Sequence, residues 1–133
     1  MIEIDVALKG NLKVDATING FTICTDQMPE KGGDGTAPDA FQYFLASVGA
    51  CAGYWVAQFC NKREIPTNNI SIKQRVIPDE IGFVETIELD ICLPESFPEK
   101  YRTAVLRAAN SCMVVRTIQN EPDIITKTVV VPD

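Results

Sequence analysis

One stretch, Pro38 to Arg63 (PDAFQYFLASVGACAGYWVAQFCNKR), limits the folds open to this chain, because it is the only long segment whose apolar residues recur at helical spacing. At roughly 100° per residue, Phe41, Phe44, Leu45, Val48, Ala52, Trp55 and Phe59 fall on one stripe, which predicts a central helix. The opposite side carries Ala46, Gly49, Ala50, Gly53 and Val56 instead of charges, so the helix must be covered on more than one side. Charge returns only at Lys62 and Arg63, which suit the partial negative charge of a helix end. Cys51 lies at the edge of the stripe, beside Ser47, Tyr54 and Gln58. Cys60 is turned by about 180° from Cys51 and lies about 13 Å further along the axis, so one straight helix cannot join these two thiols.

A chain of 133 residues is long enough to bury about two-thirds of its unfolded surface as a single domain, 1–133, without disulfide staples. The net charge of −6 and the absence of a Lys/Arg block argue against nucleic acid and anionic membrane as partners. The first residues alternate in β fashion without a signal-peptide pattern, and no apolar run approaches the roughly 18 residues of a spanning helix. These features predict a cytoplasmic protein. Its five cysteines, Cys24, Cys51, Cys60, Cys92 and Cys112, lack CxxC spacing and fit reduced thiols better than a disulfide framework.

In order along the chain, residues 2–8, 12–18 and 21–26 alternate apolar and polar side chains, with Asn19-Gly20 as a tight-turn signal, and predict a three-stranded antiparallel meander. The loop PEKGGDGTAP that follows is either a site-forming segment or a surface linker. Beyond the central helix, residues 69–77 and 83–93 read as a second strand pair, and Glu85, Glu88 and Asp90 as its wet face. Residues 98–110 predict an amphipathic helix, with Ser96 and Glu99 as a capping box and Tyr101, Ala104, Val105 and Ala108 inward. Asn110 closes it, Ser111 caps a short third helix with Cys112 in its first turn, and residues 124–131 form a last strand. The order βββ-α-ββ-α-α-β is α+β with an antiparallel sheet.

The sequence contains no histidine, which removes Ser-His-Asp and Cys-His catalysis and histidine-ligated metal sites. No metal or other cofactor is expected, and any catalysis must run on cysteine, carboxylate, Lys, Arg or Tyr. Cys24 and Cys92 stand among apolar strand neighbours and Cys60 on the far side of the helix, so all three are expected in packing. For Cys51 and Cys112 the residues alone leave core packing and chemistry both open.

Two motifs narrow that choice. FLASVGACAGYWV and SCMVVRTIQNEPDI, with two strands and a helix between them, resemble the OsmC/Ohr group of bacterial thiol peroxidases. The similarity covers most of the chain from Gly35 onward, while the N-terminal strands agree only in pattern. The resemblance implies an intertwined homodimer with a site at the subunit boundary. It also implies that Cys51 is the peroxide-attacking thiol, that Cys112 resolves it into a disulfide, and that a dithiol returns the electrons.

That chemistry needs a thiolate, and an ordinary cysteine with pKa about 8.5 is only a few per cent ionised at neutral pH. Because Cys51 sits mid-helix, its own helix dipole cannot help it, and a cation is expected nearby. The peroxidase members use an arginine from the N-terminal strands held by a glutamate at the start of the central helix. This chain has no arginine before Arg63, and Gln42 stands where the glutamate is expected. Lys13, Lys31 and Arg116 are the candidate cations. Gln42, Phe44, Tyr54 and Met113 are expected to line the pocket or support the thiolate, and Met113, Val114 and Val115 make that pocket apolar. The function expected is reduction of organic or inorganic hydroperoxides; the alternative is a module of the same fold that binds a small apolar or acyl-like ligand.

Overall fold

A computed structural model describes residues 1–133. The chain divides into two compact units, residues 1–47 and 48–133. Helix α1, Ala40–Asn61, gives its first turns to one unit and the remainder to the other.

The first unit is the expected meander: strands β1 (Asp5–Leu8), β2 (Val14–Ile18) and β3 (Phe21–Thr25) pair antiparallel in the order β1-β2-β3. Asn19 and Gly20 join β2 to β3 with φ of 50° and 81°, the left-handed pair that matches the twist of a two-residue hairpin. β1 is shorter than residues 2–8. The Gly-rich loop is a folded structure centred on Asp26. The Asp26 carboxylate is 1% exposed and accepts from the Thr36 hydroxyl at 2.7 Å, the Thr36 amide at 3.0 Å and the Gln27 amide at 2.8 Å. Lys13 Nζ lies 3.0 Å from Asp34 across the same loop. Gly33 packs against the backbone of Gln27 so closely that a Cβ there has no room.

Helix α1 opens with a reciprocal cap that the sequence reading overlooked. The Gln42 amide donates to Asp39 Oδ1 at 2.8 Å, and the Asp39 amide donates to Gln42 Oε1 at 3.1 Å, satisfying two of the donors a helix start leaves unpaired.

In the second unit, β4 (Ser71–Pro78) and β5 (Val84–Cys92) form an antiparallel hairpin. Helices α2 (Arg102–Ala109) and α3 (Met113–Gln119) follow. The core joins Ala52, Val56, Phe59 and Cys60 of α1 to Phe97, Val105 and Ala109, with Ile70, Ile72, Leu89 and Ile91 packed around them. The buried stripe of α1 is therefore Val48, Ala52, Val56, Phe59 and Cys60, rotated from the expected one. Phe41 and Phe44 stay exposed, because the small side of the helix, with Gly53 against Ile72, is what lets β4 come close.

Three further expectations are corrected. The Ser96–Glu99 capping box does not form; residues Glu99–Tyr101 make a 3-10 turn entered through Pro98 without a side-chain cap. Residues 124–131 form no strand, since alternation alone cannot make a ladder and no strand of the chain pairs with them. Cys24 and Cys92 are exposed: each sits on a sheet of only two or three strands, too few elements to cover both faces. No helix is long and apolar enough to cross a membrane.

Candidate redox site at the start of helix α3

Cys51 and Cys112 come together in the second unit. Cys112 is the N-cap of α3, with extended φ and ψ of −58° and 120°, and it is buried. Its carbonyl accepts from the Arg116 amide at 3.1 Å, and its thiol donates toward the Val48 carbonyl at 4.0 Å. Cys51 is half-buried, and both sulfurs are free thiols.

The N-cap position of Cys112 decides the electrostatics. The first amides of a helix have no partner within it, and those of Val114 and Met113 favour the ionised form of the Cys51 thiol. The Val114 N–H is the largest influence holding the Cys51 thiol below its ordinary pKa; burial opposes it, while the Cys112 thiol and the Met113 N–H reinforce it. Cys112 moves the other way. Burial pushes its thiol up, the amides of Val115 and Val114 oppose, and the neighbouring Cys51 adds to the rise. The two shifts run in opposite directions, which makes Cys51 the more readily ionised thiol of the pair.

This corrects the expectation that only a cation could lower the Cys51 pKa. Its own helix cannot act on a mid-helix residue, but the first turn of a second helix, arriving from the side, supplies donors to the thiolate. Those donors are main-chain groups, so no residue type in the sequence announced them.

Met113 and Tyr54 belong to the same unit and are 65% and 56% exposed; Tyr54 packs edge-on to Trp55 with centroids 5.3 Å apart. Arg116 is exposed, one turn beyond Cys112. Lys13, Gln42 and Phe44 lie in the first unit, each with a local partner: Lys13 with Asp34, Gln42 with Asp39, and Phe44 with Phe41 at 5.8 Å. Cys60 is fully buried and burial pushes its thiol up, against the opposing charge of Arg63.

A family model described as OsmC-like protein matches residues 33–127, more than two-thirds of the chain. No curated protein matches in sequence. Among solved structures, a protein of Psychrobacter arcticus provisionally described as an osmotic stress induced and detoxification response protein has a TM-score of 0.71 at 17% identity, covering 86% of this chain and 85% of its own. An organic hydroperoxide resistance protein OsmC of Legionella pneumophila, also described as a predicted redox protein, has a TM-score of 0.55 at 17% identity over 90% of this chain and 89% of its own. A Vibrio cholerae protein provisionally described as an organic hydroperoxide resistance protein, with captopril in one of its active sites, has a TM-score of 0.54 at 15% identity over 90% of this chain and 85% of its own. At these identities the neighbours share the fold, an α+β architecture with antiparallel sheets. The family model reaches across both cysteine segments and the hairpin between them, and on that match the chain belongs to the OsmC family.

Proposed function

We propose that the protein reduces organic hydroperoxides with Cys51 as the attacking thiol and Cys112 as the resolving thiol. The observation that carries this reading is the packing of the Cys112 thiol 4.0 Å from the Val48 carbonyl, one turn before Cys51 on α1, and the opposite shifts of the two thiols, Cys51 downward and Cys112 upward, agree with it. The Cys51 thiolate attacks the peroxide, breaking the O–O bond to leave a sulfenic acid on Cys51 and, after protonation, an alcohol. Cys112 then loses its proton, its sulfur attacks the Cys51 sulfur, and water departs as the disulfide forms. A dithiol, itself oxidised to a disulfide, restores both thiols with two electrons.

A cleft of about 550 Å³ supports a substrate larger than hydrogen peroxide. Its walls are Val48, Val84, Ile87, Leu89, Val115 and Ile118 with the polar Glu85, Asn110 and Gln119, and it shares Val48 with the Cys112 contact. The two units act in this reading as one domain, and a second copy completes the molecule. Support for a homodimer comes from apolar side chains left in water, among them Phe21 at 71% and Val130 at 98%, which a second copy would cover. Five free thiols suit a reducing compartment, and we assign the protein to the cytoplasm.

The test is peroxide consumption in the presence of dithiothreitol. Turnover of cumene hydroperoxide that exceeds turnover of hydrogen peroxide, and that vanishes in Cys51→Ser, is the expected result. Wild-type turnover no faster than that of Cys51→Ser ends the enzymatic reading. In that case the same cleft favours a binding module, and native mass spectrometry should detect an apolar ligand carried through purification.

A further inference from the structure

At the end of α1 the chain reverses through Glu64, whose φ is 54°, and the reversal leaves Arg63 in a fixed position. Its Cζ lies 3.6 Å from the ring centroid of Phe59 and 5.3 Å from that of Tyr101, and its Nη1 donates to the Phe59 carbonyl at 3.0 Å. Lys100 Nζ stands 5.0 Å from the Tyr101 ring. The ion pairs of the chain are Lys13 with Asp34 and Arg75 with Glu88 and Asp90, so neither Arg63 nor Lys100 is neutralised by a carboxylate. Both line a cleft of about 580 Å³, together with Asn68, Asn69 and Ser96. Those three side chains have no hydrogen-bond partner in the protein.

We propose that this cleft binds a small organic anion, a phosphate monoester or a carboxylate carried on an apolar body. The Nε and Nη2 edge of Arg63 faces no protein acceptor and can take two anionic oxygens in parallel, the geometry that distinguishes arginine from lysine. Stacking on Phe59 and the bond to its carbonyl hold the guanidinium in place beforehand, so little side-chain freedom is lost when the anion arrives. Lys100 supplies the second positive charge, and the amides of Asn68 and Asn69 with the Ser96 hydroxyl supply neutral donors. Pro66, Pro98 and Tyr101 in the same cleft give the apolar body a surface. Glu64 also lines the cleft and is the one group there that opposes an anion. The cleft draws on neither Cys51 nor Cys112, so its occupancy is independent of the redox reading.

Titration of phenyl phosphate, benzoate and uncharged benzyl alcohol into the full-length protein at low salt tests the proposal, followed through the side-chain amide NMR signals of Asn68 and Asn69. Saturable shifts are expected with at least one of the two anions and none with benzyl alcohol; the anion that binds tighter names the headgroup. Arg63→Met should weaken binding by about tenfold or more, the loss of a charge-assisted hydrogen bond. Since Arg63→Met also loosens the end of α1, the exposed Lys100→Gln serves as a second variant and should weaken binding too. Glu64→Gln should tighten it. The proposal is overturned if neither anion saturates the amide signals. It is also overturned if Lys127→Gln, at a lysine outside the lining of the cleft, weakens binding as much as Lys100→Gln does, because general charge attraction then accounts for the effect.

Discussion

The thiol of Cys112 stands 4.0 Å from the carbonyl oxygen of Val48, one helical turn before Cys51 on α1, although 64 residues separate the two in sequence. That contact brings the first turn of α3 against the middle of α1. Three consequences meet there: Cys112 is buried, the amides of the turn favour the Cys51 thiolate, and the pKa values of the two thiols shift in opposite directions.

The amide donors can be removed without breaking the helix. Proline is tolerated at the first helical position, and the residue before it must be extended. Met113 occupies that position after Cys112, whose ψ is 120°. Met113→Pro therefore deletes one donor to Cys51 while keeping α3. In a pH profile of Cys51 alkylation, the wild-type midpoint should fall below that of an ordinary cysteine, and the variant's midpoint should move back up. Cys112→Ala, which removes a further donor, should move it in the same direction. Cys112→Ser keeps a hydroxyl donor and should leave the midpoint low while abolishing disulfide formation.

Asp26 should govern acid stability of the first unit. Hydrogen bonds from the Thr36 hydroxyl and amide are the largest causes that hold its carboxyl down at about 2, against an ordinary 3.8. A depressed carboxyl stabilises the fold above its ordinary pKa and loses that contribution as pH falls through the lowered one. Thermal unfolding of the wild type should therefore show a stability loss between about pH 4 and pH 2. Asp26→Asn should be less stable at neutral pH and should lack this part of the pH dependence, because its NH2 group opposes the donors that the carboxylate accepts. Equal slopes for the two proteins in that window would contradict the assignment.

Val105 is among the most completely buried side chains of the second unit. Val105→Ala should cost about 2 kcal/mol in denaturant unfolding through lost burial and the cavity left behind. Cys92→Ala, on an exposed strand position, should stay within about 0.5 kcal/mol of wild type.

Glu64 adopts φ of 54° at the end of α1, where its amide donates to the Asn61 carbonyl at 3.3 Å and the Ile65 amide to the Cys60 carbonyl at 2.9 Å. A left-handed residue at this place is usually glycine. Glu64→Gly should stabilise the protein by about 0.5–1 kcal/mol, the relief of strain exceeding the added freedom of the unfolded chain. An unchanged or lowered melting temperature would show that the strain is smaller than that freedom.

Periodicity alone located the five strands observed, the central helix and the α2–α3 region to within a few residues, because alternation and helical spacing are local properties of the chain. The Asn19-Gly20 turn was equally legible, since few residue pairs accept positive φ twice. The cap at Asp39 and Gln42 is present in the sequence as a D-x-x-Q pattern before an apolar run, the capping-box spacing with Asp and Gln in the two roles. Asp26 gave no signal: a single acid at the end of a strand is ordinary until Thr36 folds back onto it.

What the sequence determined by itself was the type of most elements, together with a family resemblance carried by the motifs around Cys51 and Cys112. What only the tertiary structure decided was which groups lower the Cys51 pKa. The donors are main-chain N–H groups of Met113 and Val114, which every residue but proline possesses and which act only where a helix start is aimed at the sulfur. The rotation of α1 was decided in the same way: small residues accept a close neighbour, and which neighbour arrives depends on how β4 and β5 pack.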